Sequence, residues 1–298
     1  MDDEHLGMHL LRHQQTIARP AVVSGIGYWS GRDVRVEFRP GATGTGIVFV
    51  RSDLPGCPRI PAGVENRQET PRRTTLASGE AEGEMIEHVM AALAGLRIDN
   101  CEIWVSQPEL PGCDGSSQPF VAALDLAGIV PQAEPRPCIE VRQVLRLGNQ
   151  ESWIEVRPCP GGKTVLHYEL DYGGGTAIGR QSLEVTLSPE VFRKGLAASR
   201  TFVLEHEAAA MVDAGRGLRT TFRDLLVFGR DGVIGNQLRF PDECVRHKLL
   251  DMIGDLALAG CDLAGHFVAY RSGHRLNARL VRALLTAGCR HEQRQRCA

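Results

Sequence analysis

From Asp33 to Phe38 the chain reads Asp33-Val34-Arg35-Val36-Glu37-Phe38, polar and apolar by turns, which is the pattern of a half-buried strand. Glycines between Gly41 and Gly46 supply turns before Ile47-Val48-Phe49-Val50, so antiparallel hairpins are expected in this first third. A polar loop from Glu65 to Glu82 gives way to Met85-Ile86-Glu87-His88-Val89-Met90-Ala91-Ala92-Leu93-Ala94. These residues favour a helix that Gly95 can end, and Cys101-Glu102-Ile103-Trp104-Val105 reads as the next strand.

Prolines at 131, 135 and 137 mark a linker, and the domain boundary is placed there, with residues 1–134 as an N-terminal domain and 135–298 as a C-terminal one. Strands resume at Ile139-Glu140-Val141 and Trp153-Ile154-Glu155-Val156. A helix follows from Val245 to Leu256, then the strand Phe267-Val268-Ala269-Tyr270. Each half thus runs strands, helix, strand. Both helices carry a His near the start and a Gly seven residues later, His88 with Gly95 and His247 with Gly254. The expectation is a duplicated α+β unit whose two histidines meet if the halves pack face to face.

Composition narrows the function. A formal charge of -2 from 34 Lys+Arg and 36 Asp+Glu, with no long block of either sign, argues against nucleic acid or an acidic membrane as partner. No apolar run approaches ~18 residues, and the opening MDDEHLGMHLLRHQQ lacks the order of a secretory signal. A cytoplasmic protein without a transmembrane segment is expected. The nine cysteines are scattered, with no C-x-x-C pair, and read mostly as small buried hydrophobes.

Three groups carry candidate chemistry. His247, Asp251 and Asp255 fall at i, i+4 and i+8, which stacks them along one helical stripe. Imidazole and carboxylate one turn apart can chelate zinc, with a third ligand needed from elsewhere. Taken alone, such a stripe is also a solvated face with a His/Asp pair, although Leu, Met and Ile surround it. Glu87 and His88 diverge by ~100° around their helix, so one can bind metal while the other reaches its water; a Glu favouring the macrodipole beside a structural His explains the same dipeptide. Ser272-Gly273-His274 presents a His on a glycine turn after an apolar strand, either as a charged partner for an oxyanion or as a surface turn residue. The glycine-rich stretches Gly25 to Gly31 and Gly173 to Gly175 lead into strands or sit at hairpin tips, so neither supports a dinucleotide site.

These motifs occur in series: Ile86-Glu87-His88, Ala91 to Gly95, Ile98-Asp99-Asn100, Asp114-Gly115-Ser116, Ser199-Arg200-Thr201-Phe202, Val245-Arg246-His247-Lys248, Asp251, Ile253-Gly254-Asp255 and Ser272-Gly273-His274. In that order, over nearly the whole chain from Gly25, they resemble the UDP-3-O-acyl-N-acetylglucosamine deacetylases of lipid A biosynthesis. The resemblance implies an α+β fold of two similar domains, each a β-sheet with helices, the helices sandwiched between the two sheets. It implies zinc, with ferrous iron as the alternative ion, on His88, His247 and Asp251. Glu87 would be the general base, His274 the electrostatic and acid partner, Asp255 its orienting residue and Thr201 an oxyanion donor. Lys248 would face the substrate. Phe202, Leu204 and Met211 would belong to an insert at about 202–237 that forms an apolar passage for the acyl chain.

The implied reaction releases acetate from the sugar 2-acetamido group with water as co-substrate, in the committed step toward lipid A, by a monomer. One departure stands near the start, where Tyr28-Trp29-Ser30 occupies the place of the usual Leu-His-Thr. Two other readings remain open: a deacetylase of another N-acetylated sugar, and a nucleotide-sugar-binding paralogue without turnover. About 15 N-terminal residues lie outside the resemblance and read as an extension.

Overall fold

The computed structural model describes residues 12–296. Two sheets repeat one plan. In the N-terminal half the hairpin Ala21–Ile26 and Asp33–Pro40 leads to Cys101–Val105, then to Ile47–Arg51 and Arg59–Pro61. In the C-terminal half Leu145–Gly148 and Trp153–Arg157 lead to Asp262–Tyr270, then to Thr164–Asp171 and Arg180–Thr186. In both, the last strand in sequence inserts centrally, antiparallel to the hairpin on one side and parallel to the third strand on the other. The α+β duplication expected from the order of elements is therefore present in the sheet topology itself.

A helix precedes each central strand: α1 (Glu87–Gly95) in the first half, and, beyond α2 (Gln118–Ala127), α3 (Pro189–Val191) and α4 (Glu205–Asp213), the helix α5 (Glu243–Leu256) in the second. The long α6 (His274–Arg296) follows the second central strand. Helices α1 and α5 pack on each other, and α5 lies on the C-terminal sheet. Every residue of α1 from Glu87 to Leu93 has no more than 4% of its surface exposed, so this helix is buried all round. Such burial is what its run of Val, Met, Ala and Leu requires.

Glycine makes the helix contact possible. A Cβ on Gly254 would stand 2.1 Å from the Glu87 carbonyl oxygen, and one on Gly95 would stand 2.3 Å from the Phe192 ring. The two glycines related by the repeat are thus points of close approach. Gly254→Ala is expected to cost about 1–3 kcal/mol, because the clash is with backbone and can be relieved only by moving helices apart. Chemical denaturation checks it; an unchanged midpoint would exclude the tight contact.

Several local expectations change. The helix starts at Glu87 rather than Met85 because Met85 has φ 56, outside helical space. The proline-rich segment is not a free linker: Ile129–Pro135 is a strand, antiparallel to His13–Ile17. Prolines are tolerated there because, among the described residues, each of these strands has only the other as a partner. Arg12 then clamps the halves together, with 2.6 and 2.7 Å bonds to Asp99 and 2.7 Å bonds to Asp262. The strand beginning at His13 falls within the expected N-terminal extension, whose first 11 residues lie outside the described ones. Among the described cysteines only Cys101 and Cys244 are buried, five being intermediate; they sit at strand ends and in loops where one side faces water.

Candidate active site

Helices α1 and α5 bring His88, His247 and Asp251 together in the centre of the molecule, all three buried. Asp251 Oδ1 lies 3.2 Å from His247 Nε2 and 3.7 Å from His88 Nε2. The imidazole rings meet edge to face at 5.0 Å. His247 donates its Nδ1–H to the Ser199 carbonyl at 3.1 Å, which fixes the tautomer and leaves Nε2 with a free lone pair toward Asp251.

The protonation states suit a cation. Burial, aided by the neighbouring His247, pushes the His88 imidazolium down to about 3, and burial lowers His247 also. Burial works against the Asp251 carboxylate, but His247 and Lys248 outweigh it and hold its pKa below the ordinary range. Two neutral imidazoles and a carboxylate, spaced near the ~3.3 Å edge of a tetrahedron with ~2 Å bonds, match the donor set of a catalytic zinc. His88, His247 and Asp251 would hold such an ion. Lys248 donates to the outer oxygen Asp251 Oδ2 at 2.6 Å, so this lysine orients a candidate ligand as well as lining the cavity.

Two more carboxylates are held rigidly beside this triad. Glu87 opens α1, where the helix macrodipole favours a negative charge, and accepts the Thr74 N–H at 2.9 Å. Burial nevertheless raises its pKa to about 7, with His274 pulling the other way. Asp255 accepts from the Thr74 hydroxyl at 2.6 Å, from Asn277 Nδ2 at 2.8 Å and from His274 Nδ1 at 2.9 Å. Burial disfavours the His274 imidazolium, yet Asp255, with Glu87 behind it, reverses that and raises its pKa to about 9.

His274 is not on a free loop, as the glycine turn suggested, but is the first residue of α6. The glycine turn stands just before the helix and is held by a Tyr168 hydroxyl bond to the Ser272 carbonyl. Thr74 and Asn277 carry no signal in the sequence. Thr74 sits in a polar loop with no periodicity to mark it, and Asn277 looks like any polar residue one turn into a helix. Left-handed backbone at Met85 and Arg271 precedes Glu87 and His274; non-glycine residues in that region cluster at functional sites.

Thr201 stands just before the strand Phe202–Leu204. Its N–H donates to Gly115 at 2.7 Å, in the Asp114-Gly115-Ser116 turn, and Arg200 beside it is tied to the fully buried Glu243 of α5 at 2.8 Å. The Ser199-Arg200-Thr201-Phe202 motif is thereby bolted to the same helix that carries His247. Phe202 packs edge-on to His247 at 6.3 Å.

A cavity of about 1130 Å³ opens over this constellation. Glu87, His88, Thr201, His247, Lys248, Asp251 and His274 all line it, whereas Asp255 stands behind His274. The lining also includes the apolar residues Phe202, Met211, Val212, Phe222, Leu225 and Ile234. Leu204 is not among the residues that line the cavity; it packs half-buried against the core.

Tyr28 and Trp29 also line the cavity. Trp29 lies between the guanidinium groups of Arg73 and Arg216, 4.8 and 5.5 Å from its ring centre, while Glu109 accepts the Trp29 and Ser30 N–H groups at 2.7 and 2.8 Å. The unusual Tyr28-Trp29-Ser30 thus keeps a well-braced turn while presenting an indole. Among the described residues no helix is long and apolar enough to cross a membrane.

The family model for UDP-3-O-acyl N-acetylglycosamine deacetylase matches residues 14–286. Proteins named UDP-3-O-acyl-N-acetylglucosamine deacetylase from Brucella ovis, Brucella canis and Brucella melitensis are 39% identical to the chain over 276 residues, covering 92% of it and 96% of each relative. A match of that extent spans both sheets, both central helices and the insert, and the chain belongs to the UDP-3-O-acyl N-acetylglycosamine deacetylase family.

Proposed function

We propose that the chain hydrolyses the 2-acetamido group of UDP-3-O-acyl-N-acetylglucosamine, with zinc on His88, His247 and Asp251, in the step that commits the sugar to lipid A. The observation carrying this is that Glu87 and His274 line one cavity with His88, His247 and Asp251, and that Phe202, Met211, Val212, Phe222, Leu225 and Ile234 line the same cavity. A bound zinc supplies Lewis acidity toward the amide carbonyl and toward water. Everything else is done by side chains.

Glu87, raised toward neutrality by its burial, takes the proton of the attacking water. His274, kept as imidazolium by Asp255, stabilises the developing oxyanion and protonates the departing sugar amine. The Thr201 hydroxyl adds a donor to the oxyanion, Lys248 adds positive charge at the cavity wall, and the apolar lining at Phe202 and Met211 takes the 3-O-acyl chain. A binding protein without turnover has no use for a carboxylate and an imidazolium held in opposite roles by Thr74 and Asp255.

The test pairs metal analysis of the purified protein with acetate release from the acylated UDP-sugar. About one zinc per chain is expected, with release abolished by chelator and restored by added Zn²⁺. Release that survives full removal of metal would overturn the zinc assignment. Release from N-acetylated sugars lacking the acyl chain at equal efficiency would overturn the substrate.

A further inference from the structure

Three more potential ligands converge outside the lining of the cavity. His167, Glu184 and His266 stand on three strands of the C-terminal sheet, and their ligand atoms all lie within 4.8 Å of one another. Strand register makes the cluster. His167 is directly opposite Glu184, and His266 pairs with Val165, two residues before His167 on the same side. Leu166, Tyr168 and Phe267, which alternate with them, are buried in the core, so the trio occupies the outer face of the sheet.

We infer that His167, Glu184 and His266 form a second divalent-metal site, of the zinc type, on this outer face. Glu184 Oε2 lies 3.2 Å from His266 Nε2 and 3.8 Å from His167 Nδ1. The buried triad has its carboxylate oxygen 3.2 and 3.7 Å from its two imidazoles. Both sets therefore carry two imidazoles around one carboxylate at the spacing that ~2 Å metal bonds require.

Two further observations point to a ligand. His266 Nε2 is shielded from solvent but has no hydrogen-bond partner among the described residues, although Glu184 Oε2 stands 3.2 Å away. A buried ring nitrogen left so is costly unless something binds it. His167 Nε2 contacts Ser182 Oγ at 2.8 Å; an Nε2–H donated there leaves the Nδ1 lone pair facing Glu184, which is the outer support that metal-binding histidines use. The cation opposite His266 in register, Arg157, is neutralised by its ion pair with Glu155. Glu184 is 55% exposed, which leaves room for water as a fourth ligand and a path for the ion.

The site is tested on purified protein carrying its resident metal, titrated with Zn²⁺ by calorimetry while imidazole resonances are followed by NMR. One further equivalent should bind, moving the His167 and His266 signals, and Glu184→Gln combined with His266→Ala should weaken that uptake more than ~10-fold. His247→Ala, at the buried triad, should lose the resident metal and keep the added equivalent, so either centre can fail without the other. No uptake by the parent protein, uptake undiminished in the double variant, or loss of the added equivalent in His247→Ala would each overturn the inference.

Discussion

Replacing Glu87 with Gln should lower kcat by roughly 10²–10⁴-fold while metal content stays unchanged, the range that a positioned general base supplies. The substitution keeps the size of the side chain and an oxygen to accept the Thr74 N–H. It removes the ability to take a proton. Because His88 and not Glu87 belongs to the buried triad, zinc should remain at the parent level. KM should move little, since the lost interaction is made only as the water attacks. Steady-state kinetics with metal analysis on the same preparation decides the matter: near-parental kcat with full metal would remove Glu87 from the chemistry, and loss of metal would make it a ligand.

The second large effect is at His274. His274→Ala should cost a similar ~10²–10⁴-fold in kcat, and Asp255→Asn should reveal why the imidazole works. Folded, His274 has a raised pKa, so its charged form persists above the ordinary imidazole range and is lost as the pH rises through about 9. Activity that needs the imidazolium should therefore fall on the basic side of that range. Without the Asp255 charge, only the smaller effects of Glu87 and Asp251 oppose burial, which disfavours imidazolium. The basic limb of kcat/KM should then move to lower pH in Asp255→Asn, with the neutral amide still able to bond Thr74 and Asn277. A purely structural Asp255 would change rate or stability at all pH values and leave the limb in place. That pH profile separates the two roles.

Much of this site is legible in the order of the residues. The stripe of His247, Asp251 and Asp255 needs only the period of a helix, and the repeated His and Gly spacing marks two such helices as related. Both inferences rest on interactions within one or two turns, where the chain's own geometry sets which side chains share a face. Resemblance to a family then supplies roles that periodicity cannot. It does not supply Thr74 or Asn277, which join Glu87, Asp255 and His274 into one hydrogen-bonded set.

What the tertiary structure alone decided is how distant segments register. His167, Glu184 and His266 are separated by 17 and 82 residues and meet only because the last strand inserts between the hairpin and its parallel neighbour. The proline-rich segment is a strand because its backbone pairs with His13–Ile17, and Arg12 and Arg136, one beside each strand, are both ion-paired to Asp99 and Asp262. His274 stands at the start of α6, where Asp255 offsets the cost that burial and the unfavourable end of the dipole place on its charge. By itself the sequence determined the two ligand-bearing helices, the repeat and the faces on which their ligands stand, since those depend on neighbours along the chain. Strand register, the depth of burial that sets each pKa, and the meeting of the two histidines depend on which surfaces exclude water together, and only the packed structure determines that.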